Sequence, residues 1–403
     1  MNPLHLDGWG VKIRTRNLKS RSELEINNGR NADRAYLTSC FRPHRFPYSS
    51  IIIDGHSGYI SLQALHWLSR NGVPIFVTNF DGSIISSIMP PMPIKADLRA
   101  AQLEASRDSR VSLKIARALV EAKIARSIQV LEWLGQRYDI SRESSLTKRE
   151  AVNLRRARTV GAIRTVEGRV ALRYWDAFGK ILPQHLDFQG RMTSSHQNNA
   201  ADPVNAALNY GYGFLEGECR RAIHAVGLES AVGFLHDLSG YQTKQSLVYD
   251  LEEPFRWIVD LSVMHAFESK ALGLHDFYFT GDDYRYRFEH EAKVRFIKIL
   301  REQFNSGVKY EGRVLKWDTV IEEKTSELAR CLKGRTASID FVNPAPVLER
   351  TDDRAIREAI LRMTQKDAGR RGIGKSTLHY LRRNAKSRGH FRIYDKVRAK
   401  LAE

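Results

Sequence analysis

Four side chains within one 36-residue stretch of this sequence are of the types that hold a hard divalent cation: Glu218, His236, Asp250 and Glu253. Carboxylate oxygens with one imidazole suit Mg²⁺ or Mn²⁺, and the histidine favours Mn²⁺ somewhat. A cation held this way can polarise a phosphoryl group, activate an attacking oxygen and stabilise a leaving one. Asp250 and Glu253 are three residues apart, so in a helix their Cβ atoms lie ~5–6 Å from each other on one face. Pro254 disfavours helical geometry at Glu253 and suits a first turn, which predicts a helix starting near this pair. Glu218 falls inside a segment of helical period. His236 ends the apolar connector Gly233-Phe234-Leu235. Spacing alone leaves plainer readings open. A histidine after an apolar run is often a hydrogen-bonded structural group, and adjacent acids such as Glu252 and Glu253 often form a solvated face.

The rest of the chain says what such a cation would act on. The 403 residues carry a formal net charge of +18, which calls for a polyanionic partner, with nucleic acid as the default. An apolar content of 42% is that of a folded, multidomain protein. No apolar run reaches 18 residues, so membrane association is not expected. Cys40, Cys219 and Cys331 are far apart and form no CxxC pair. That leaves a disulfide framework and a zinc cage unsupported and fits a reducing cytoplasm.

The predicted fold class is multidomain α+β. Residues 1–93 read as a β-rich domain, with strands at Ser50–Asp54, Pro74–Thr78 and Ser83–Ile88 and one helix at Ser61–Asn71. Met89–Pro93 cannot continue a helix or a central strand and reads as a linker. Residues 94–340 read as a nearly all-helical domain bearing the candidate ligands. Helical spacing runs through Ala96–Tyr138, Arg149–Phe178, Asn205–Val226, Glu253–Leu272 and Arg287–Asn305. Ala337–Arg350, with Pro344 and Pro346, reads as a second linker.

Residues 341–403 form that linker and a basic tail. From Asp352 to Glu403 there are 15 Lys/Arg against 6 Asp/Glu, half the net charge in about an eighth of the chain. Arg354–Lys366 is an amphipathic helix, a glycine-containing turn follows, and Lys375–Arg383 is a short basic helix. This is a helix-turn-helix-like pattern for DNA binding, although a basic hairpin packed on the body would look similar. Gly369–Ser376 also fits the GxxxxGK[ST] phosphate-loop string. That motif needs a buried strand before the loop, and here an amphipathic helix precedes it, so no nucleotide cofactor is expected.

The residues around the candidate ligands resemble a known family. Asn209-Tyr210-Gly211-Tyr212, Glu218, Gly227-Leu228, Gly233-Phe234-Leu235-His236 and Tyr249-Asp250-Leu251 through Glu253-Pro254-Phe255-Arg256 are similar to the core of the CRISPR adaptation integrases, the first CRISPR-associated protein. Val166-Glu167-Gly168, Phe188–Arg191, Asp202–Ala206 and Gly72–Ile75 extend the resemblance over about residues 7–335. It implies a homodimeric, Mg²⁺- or Mn²⁺-dependent integrase that joins a DNA 3′-OH to a target strand by transesterification. It also implies Glu218, His236 and Glu253 as ligands, with Asp250 the adjacent acid or an alternative ligand. Two features depart from the family pattern: Trp257 replaces the usual proline after Phe-Arg, and the basic tail is extra. The tail resembles that of casposases, family members that act as transposases and must recognise the terminal inverted repeats of their own element.

The expected partners are therefore donor DNA ends and a target duplex, bound by a homodimer or by a tetramer on DNA. In the tail, Lys375, Ser376, Thr377, His379, Arg382 and Arg383 are candidates to face DNA. Arg191 and Lys244, near the candidate metal site, could clamp the scissile phosphate. For any one of these a solvated surface charge is the simpler alternative. Rival functions are spacer insertion in CRISPR adaptation, a structure-selective repair endonuclease, and a non-enzymatic DNA-binding regulator.

Overall fold

The computed structural model describes residues 3–386 except 19–20, 31–36, 55–56, 92–94, 137, 192–199, 237–244, 282–284, 337 and 345–350. The first lobe holds β1 (Leu4–Leu6), β2 (Val11–Leu18), β3 (Arg21–Asn27), β4 (Thr38–Phe41), β5 (Ile51–Ile53) and β6 (Gly58–Ile60). Helix α1 (Leu62–Arg70), β7 (Ile75–Thr78) and β8 (Ile84–Ile88) complete it. One sheet has the order β1-β5-β7-β8, parallel except for β8, and the other β4-β3-β2-β6. In β5, Ile51 and Ile53 pack with Trp67 and Leu68 of α1, while Ile52 joins Phe76 in the core of the helical lobe. A strand covered on both faces needs an unbroken apolar run, which Ile51-Ile52-Ile53 supplies. The expected strands and α1 are present. The β2–β3 hairpin was not anticipated, although Val11 and Ile13 point inward and Lys12 and Arg14 outward with the period of two that marks a half-buried strand.

Helices dominate after residue 95: α2 (Ala96–Arg107), α3 (Ser109–Leu134), α4 (Ser141–Arg156), α5 (Val160–Ile181) and α6 (Pro203–Val226). The long periodic run from Ala96 is broken at Asp108, whose carboxylate accepts the amides of Arg110 and Val111 and caps α3. Asp202 caps α6, and Pro203 sits in its first turn. Then come α7 (Ser246–Glu252), a 3₁₀ turn at Glu253–Phe255 and α8 (Arg256–Glu268). This lobe is nearly all helix, as expected. Two antiparallel hairpins interrupt it: β9 (Phe277–Thr280) with β10 (Arg285–Phe288), and, beyond α9 (His290–Phe304), β11 (Val308–Tyr310) with β12 (Arg313–Leu315). The second closes on Glu311-Gly312, both at positive φ, the tight two-residue turn that matches strand twist. Helix α10 (Trp317–Leu332) follows. Residues 338–344, within the expected second linker, are packed rather than free, with Phe341 and Asn343 buried. Residues 337 and 345–350 lie outside the described residues.

A seam joins the two lobes. Asp54 accepts hydrogen bonds from the Tyr210 hydroxyl (3.2 Å) and Lys293 Nζ (2.6 Å), and all three are buried. Arg285 pairs with Asp81 at 3.2 Å and His290 with Asp7 at 3.2 Å. The turn between β7 and β8 rests on α6 backbone to backbone, and a Cβ at Gly213 would lie 2.0 Å from the Gly82 carbonyl oxygen.

The tail folds as three helices, α11 (Thr351–Arg362), α12 (Gln365–Arg370) and α13 (Lys375–Lys386). Ile360, Met363, Ala368, Ile373, Leu378 and Leu381 form their core. The predicted helix through Lys366 stops at Arg362, because Thr364 and Asp367 form a capping box that starts α12.

Candidate active site

The 253–255 turn, α3, α5, α6 and α8 surround a cavity of about 610 Å³. It is lined by Lys123 and Arg126 from α3, Glu167 and Arg169 from α5, Arg191, Tyr212 from α6, His236, Glu253, Arg256 and Asp260. Glu253 is buried, with Lys123 Nζ at 2.6 Å and Arg256 Nη1 at 3.2 Å. Burial alone would raise its pKa, but Arg256 and Lys123 outweigh burial and hold the carboxyl at about 2. The same Lys123 ammonium bonds Glu167. Burial works against the charge on Lys123, yet Glu167 and Glu253 raise its pKa. The lysine thus marks a point between two carboxylates where positive charge is stabilised.

His236 lines the same cavity. Its Nδ1 lies 2.7 Å from Asp250 Oδ1, which fixes the tautomer and leaves Nε2 with no hydrogen-bond partner among the described residues. Asp250 itself is fully buried and fully committed. Its Oδ2 accepts the amides of Phe234 (2.6 Å) and Leu235 (3.0 Å), and its Oδ1 accepts the His236 amide (2.9 Å) beside the ring contact. A carboxylate taken up in this way shapes the Gly233–His236 loop and is not presented as a ligand. Of the two roles expected for Asp250, adjacent acid or alternative ligand, these bonds suit the adjacent acid.

The structure also separates Glu218 from the cavity. Glu218 is buried on another side of α6, where Arg221 Nε holds it at 3.0 Å and Arg221 in turn reaches Glu322 of α10 at 3.3 Å. Burial raises its pKa, and Arg221 opposes the shift. The reason is rotational. Six residues separate Tyr212, which lines the cavity, from Glu218, and at ~100° per residue this turns Glu218 well away from the Tyr212 face. Glu167, noted in the sequence only for family resemblance, is the glutamate in the cavity. Among the described residues, no three His, Cys, Asp or Glu side chains form a ready cation cage. Glu167 and Glu253 around the Lys123 ammonium, with His236 lining the same cavity, nonetheless make a donor set that fits a divalent cation by charge and by ligand type.

Cationic and aromatic groups line the remaining wall. Arg191 and Arg256 lie over the Tyr212 ring, 5.2 and 5.1 Å from its centroid. Asn205 (3.1 Å) and Asn209 (2.7 Å) hold the Arg191 guanidinium. The Tyr212 hydroxyl donates to Asp260 at 2.6 Å, and burial, more than offsetting that bond, raises Asp260 to about 6. Arg191 thus lines the cavity, whereas Lys244 lies outside the described residues. Tyr210, in contrast to Tyr212, belongs to the seam. In the tail, Lys375, Ser376, Thr377, His379 and Arg383 are exposed on α13. Arg382, only partly exposed, donates to the Met363 carbonyl just past α11 and ties the helices together.

Comparison with known proteins adds independent findings. The family described as CRISPR associated protein Cas1 matches residues 44–302. A CRISPR-associated endonuclease Cas1 of Archaeoglobus fulgidus is 29% identical over 315 residues, spanning 72% of this chain and 88% of that protein. Among solved structures, a casposase bound to its integration product is 33% identical, with a TM-score of 0.81 over 90% of this chain and 99% of that one. A Cas1 protein from Thermotoga maritima shares the fold at 16% identity, with a TM-score of 0.67 over 82% of this chain and 97% of that one.

Proposed function

The chain belongs to the Cas1 family, and from that premise we propose that it is an integrase of the casposase type, inserting the ends of its own element into a target duplex. It is a DNA-processing enzyme of a family that acts as integrase and endonuclease. The reading rests above all on Lys123, whose ammonium bridges Glu167 and Glu253 in a cavity that also holds His236, Arg191 and Arg256. Glu167, Glu253 and the Nε2 of His236 are the groups that would hold Mn²⁺ or Mg²⁺, with Asp250 orienting the imidazole. A divalent cation bound there supplies Lewis-acid polarisation of the phosphodiester and lowers the barrier to removing a proton from the attacking hydroxyl.

The protein residues hold the substrate. Arg191, braced by two asparagines, and Arg256 face the cavity with charge and hydrogen-bond donors suited to phosphate oxygens. The donor 3′-oxygen forms a bond to the target phosphorus, the target 3′-oxygen leaves with a proton, and no net phosphodiester is lost. The tail supports the casposase reading over spacer insertion. A match over 90% of the chain extends beyond the 340 residues that precede the tail, and α13 exposes Lys375, Ser376, Thr377, His379 and Arg383 for terminal-repeat DNA. Trp9, Tyr59 and Leu62, exposed on the sheet lobe, fit the apolar contact of a homodimer, which could pair again on DNA.

The test is strand transfer. Linear DNA with free 3′-OH ends is mixed with supercoiled plasmid and Mn²⁺, with and without terminal-repeat sequence on the donor. Covalent joining that needs His236 and is favoured by terminal repeats is expected. Cleavage without joining would reject the integrase, and joining indifferent to terminal repeats would reject the casposase reading.

A further inference from the structure

Residues 338–344 form a strap between α10 and the three-helix tail, and it is tied to the cavity wall rather than crossing open solvent. Lys324 of α10 donates to the Asp340 carbonyl at 2.8 Å, and the Phe341 side chain is fully buried. Asn343, also buried, makes two bonds that bear on the site. Its Nδ2 donates to the Pro254 carbonyl at 2.5 Å, and its own carbonyl accepts from Arg126, which lines the cavity. Pro254 directly follows Glu253 in the 3₁₀ turn. Proline lacks an N–H and this turn has no side-chain cap, so local hydrogen bonds hold the turn weakly. The Asn343 amide supplies an anchor from 89 residues away in sequence.

We propose that Asn343 is a positioning residue for Glu253: by clamping the Pro254 carbonyl it fixes the direction in which the Glu253 carboxylate faces the cation site. The inference rests on Glu253 being a ligand, as proposed above. A partner one step outside the ligand shell commonly sets ligand orientation, and its loss costs 10–100-fold in metal affinity or activity. The strap also places this clamp eight residues before α11, so a change in the path of the tail bears on the residue that aims Glu253.

Mn²⁺ binding to the full-length protein, without DNA, tests this by calorimetry and by the electron paramagnetic resonance of bound Mn²⁺. Asn343→Ala and the near-isosteric Asn343→Asp are compared with wild type and with Asn343→Gln, each alongside its melting curve. The expected result is Mn²⁺ affinity weakened about tenfold or more in Asn343→Ala and Asn343→Asp. The bound-Mn²⁺ spectrum should broaden, and Asn343→Gln should recover part of the loss by restoring the amide donor. If Asn343→Ala does not fold, Asn343→Asp, which keeps the shape, decides the matter. Wild-type affinity in a folded Asn343→Ala or Asn343→Asp protein would overturn the positioning role while leaving the metal reading intact. A wild-type protein that binds no Mn²⁺ would overturn both.

Discussion

Two clusters of buried charge in this molecule use nearly the same residue types to opposite ends. In the seam, Asp54 meets Lys293 and Tyr210. In the cavity, Glu253 meets Lys123 and Arg256. Burial raises the pKa of Asp54 despite Lys293, which is the behaviour of a closed structural pair. Glu253 is held low because two cations converge on it, and the Lys123 ammonium is shared with a second carboxylate. A buried acid and base alone therefore do not mark a reactive site. What distinguishes the cavity is an excess of converging charge beside open volume and a free imidazole nitrogen.

Substitutions can break that distinction or sharpen it. The largest effect should come from the cavity: Glu253→Gln, Glu167→Gln and His236→Ala should each cut strand joining on the order of 10³-fold or more. Calorimetric unfolding should show each variant still folded. In the seam the pattern should reverse. Asp54→Ala leaves Lys293 buried without its partner and should cost about 3–5 kcal/mol of stability. Denaturant melts would show that loss, while joining per folded molecule stays within a few-fold of wild type. Equal loss of catalysis would erase the contrast.

Proton linkage gives a smaller effect. Asp260 has its pKa raised on folding, so the folded state holds a proton that the unfolded chain releases, and stability falls as pH rises from about 4 to 6. A shift of that size corresponds to about 3 kcal/mol. Asp260→Asn should flatten this part of the pH–stability curve. Smaller still, Glu218→Gln should leave joining within about fivefold of wild type, since its partner is Arg221 and not the cavity. A thousandfold loss there would restore it to the ligand set. In the tail, Lys375→Ala should lower the salt dependence of DNA binding by about one unit in log–log slope. Arg382→Ala should instead lower the melting temperature of the tail helices, because that side chain holds Met363.

The sequence carried His236, Asp250 and Glu253 in one readable motif because all three lie within 18 residues and two local elements. Glu167 was in view as part of Val166-Glu167-Gly168, yet its role depends on α5 packing against α3, a contact no local pattern encodes. Glu218 was grouped with them by the family resemblance, although the rotation of α6 relative to Tyr212 could have been worked out from helical geometry alone. The main helices were legible by period. Their breaks at Asp108 and Thr364 were not, because capping residues look like any other polar residue inside a periodic run. The role of Asn343 could not be read at all, since the bond that gives it meaning spans 89 residues.

The contact between Gly82 and Gly213 sets how the molecule bears load. Neither glycine has a side chain to change rotamer and absorb a displacement, and the Tyr210 ring packs beside Gly82. A pull on the sheet lobe, whether from a second subunit or from bent DNA, passes straight into α6 and reaches Tyr212 one residue away. The seam behaves there as a weld rather than a gasket, and Gly213→Ala would act as a shim that tilts one lobe against the other.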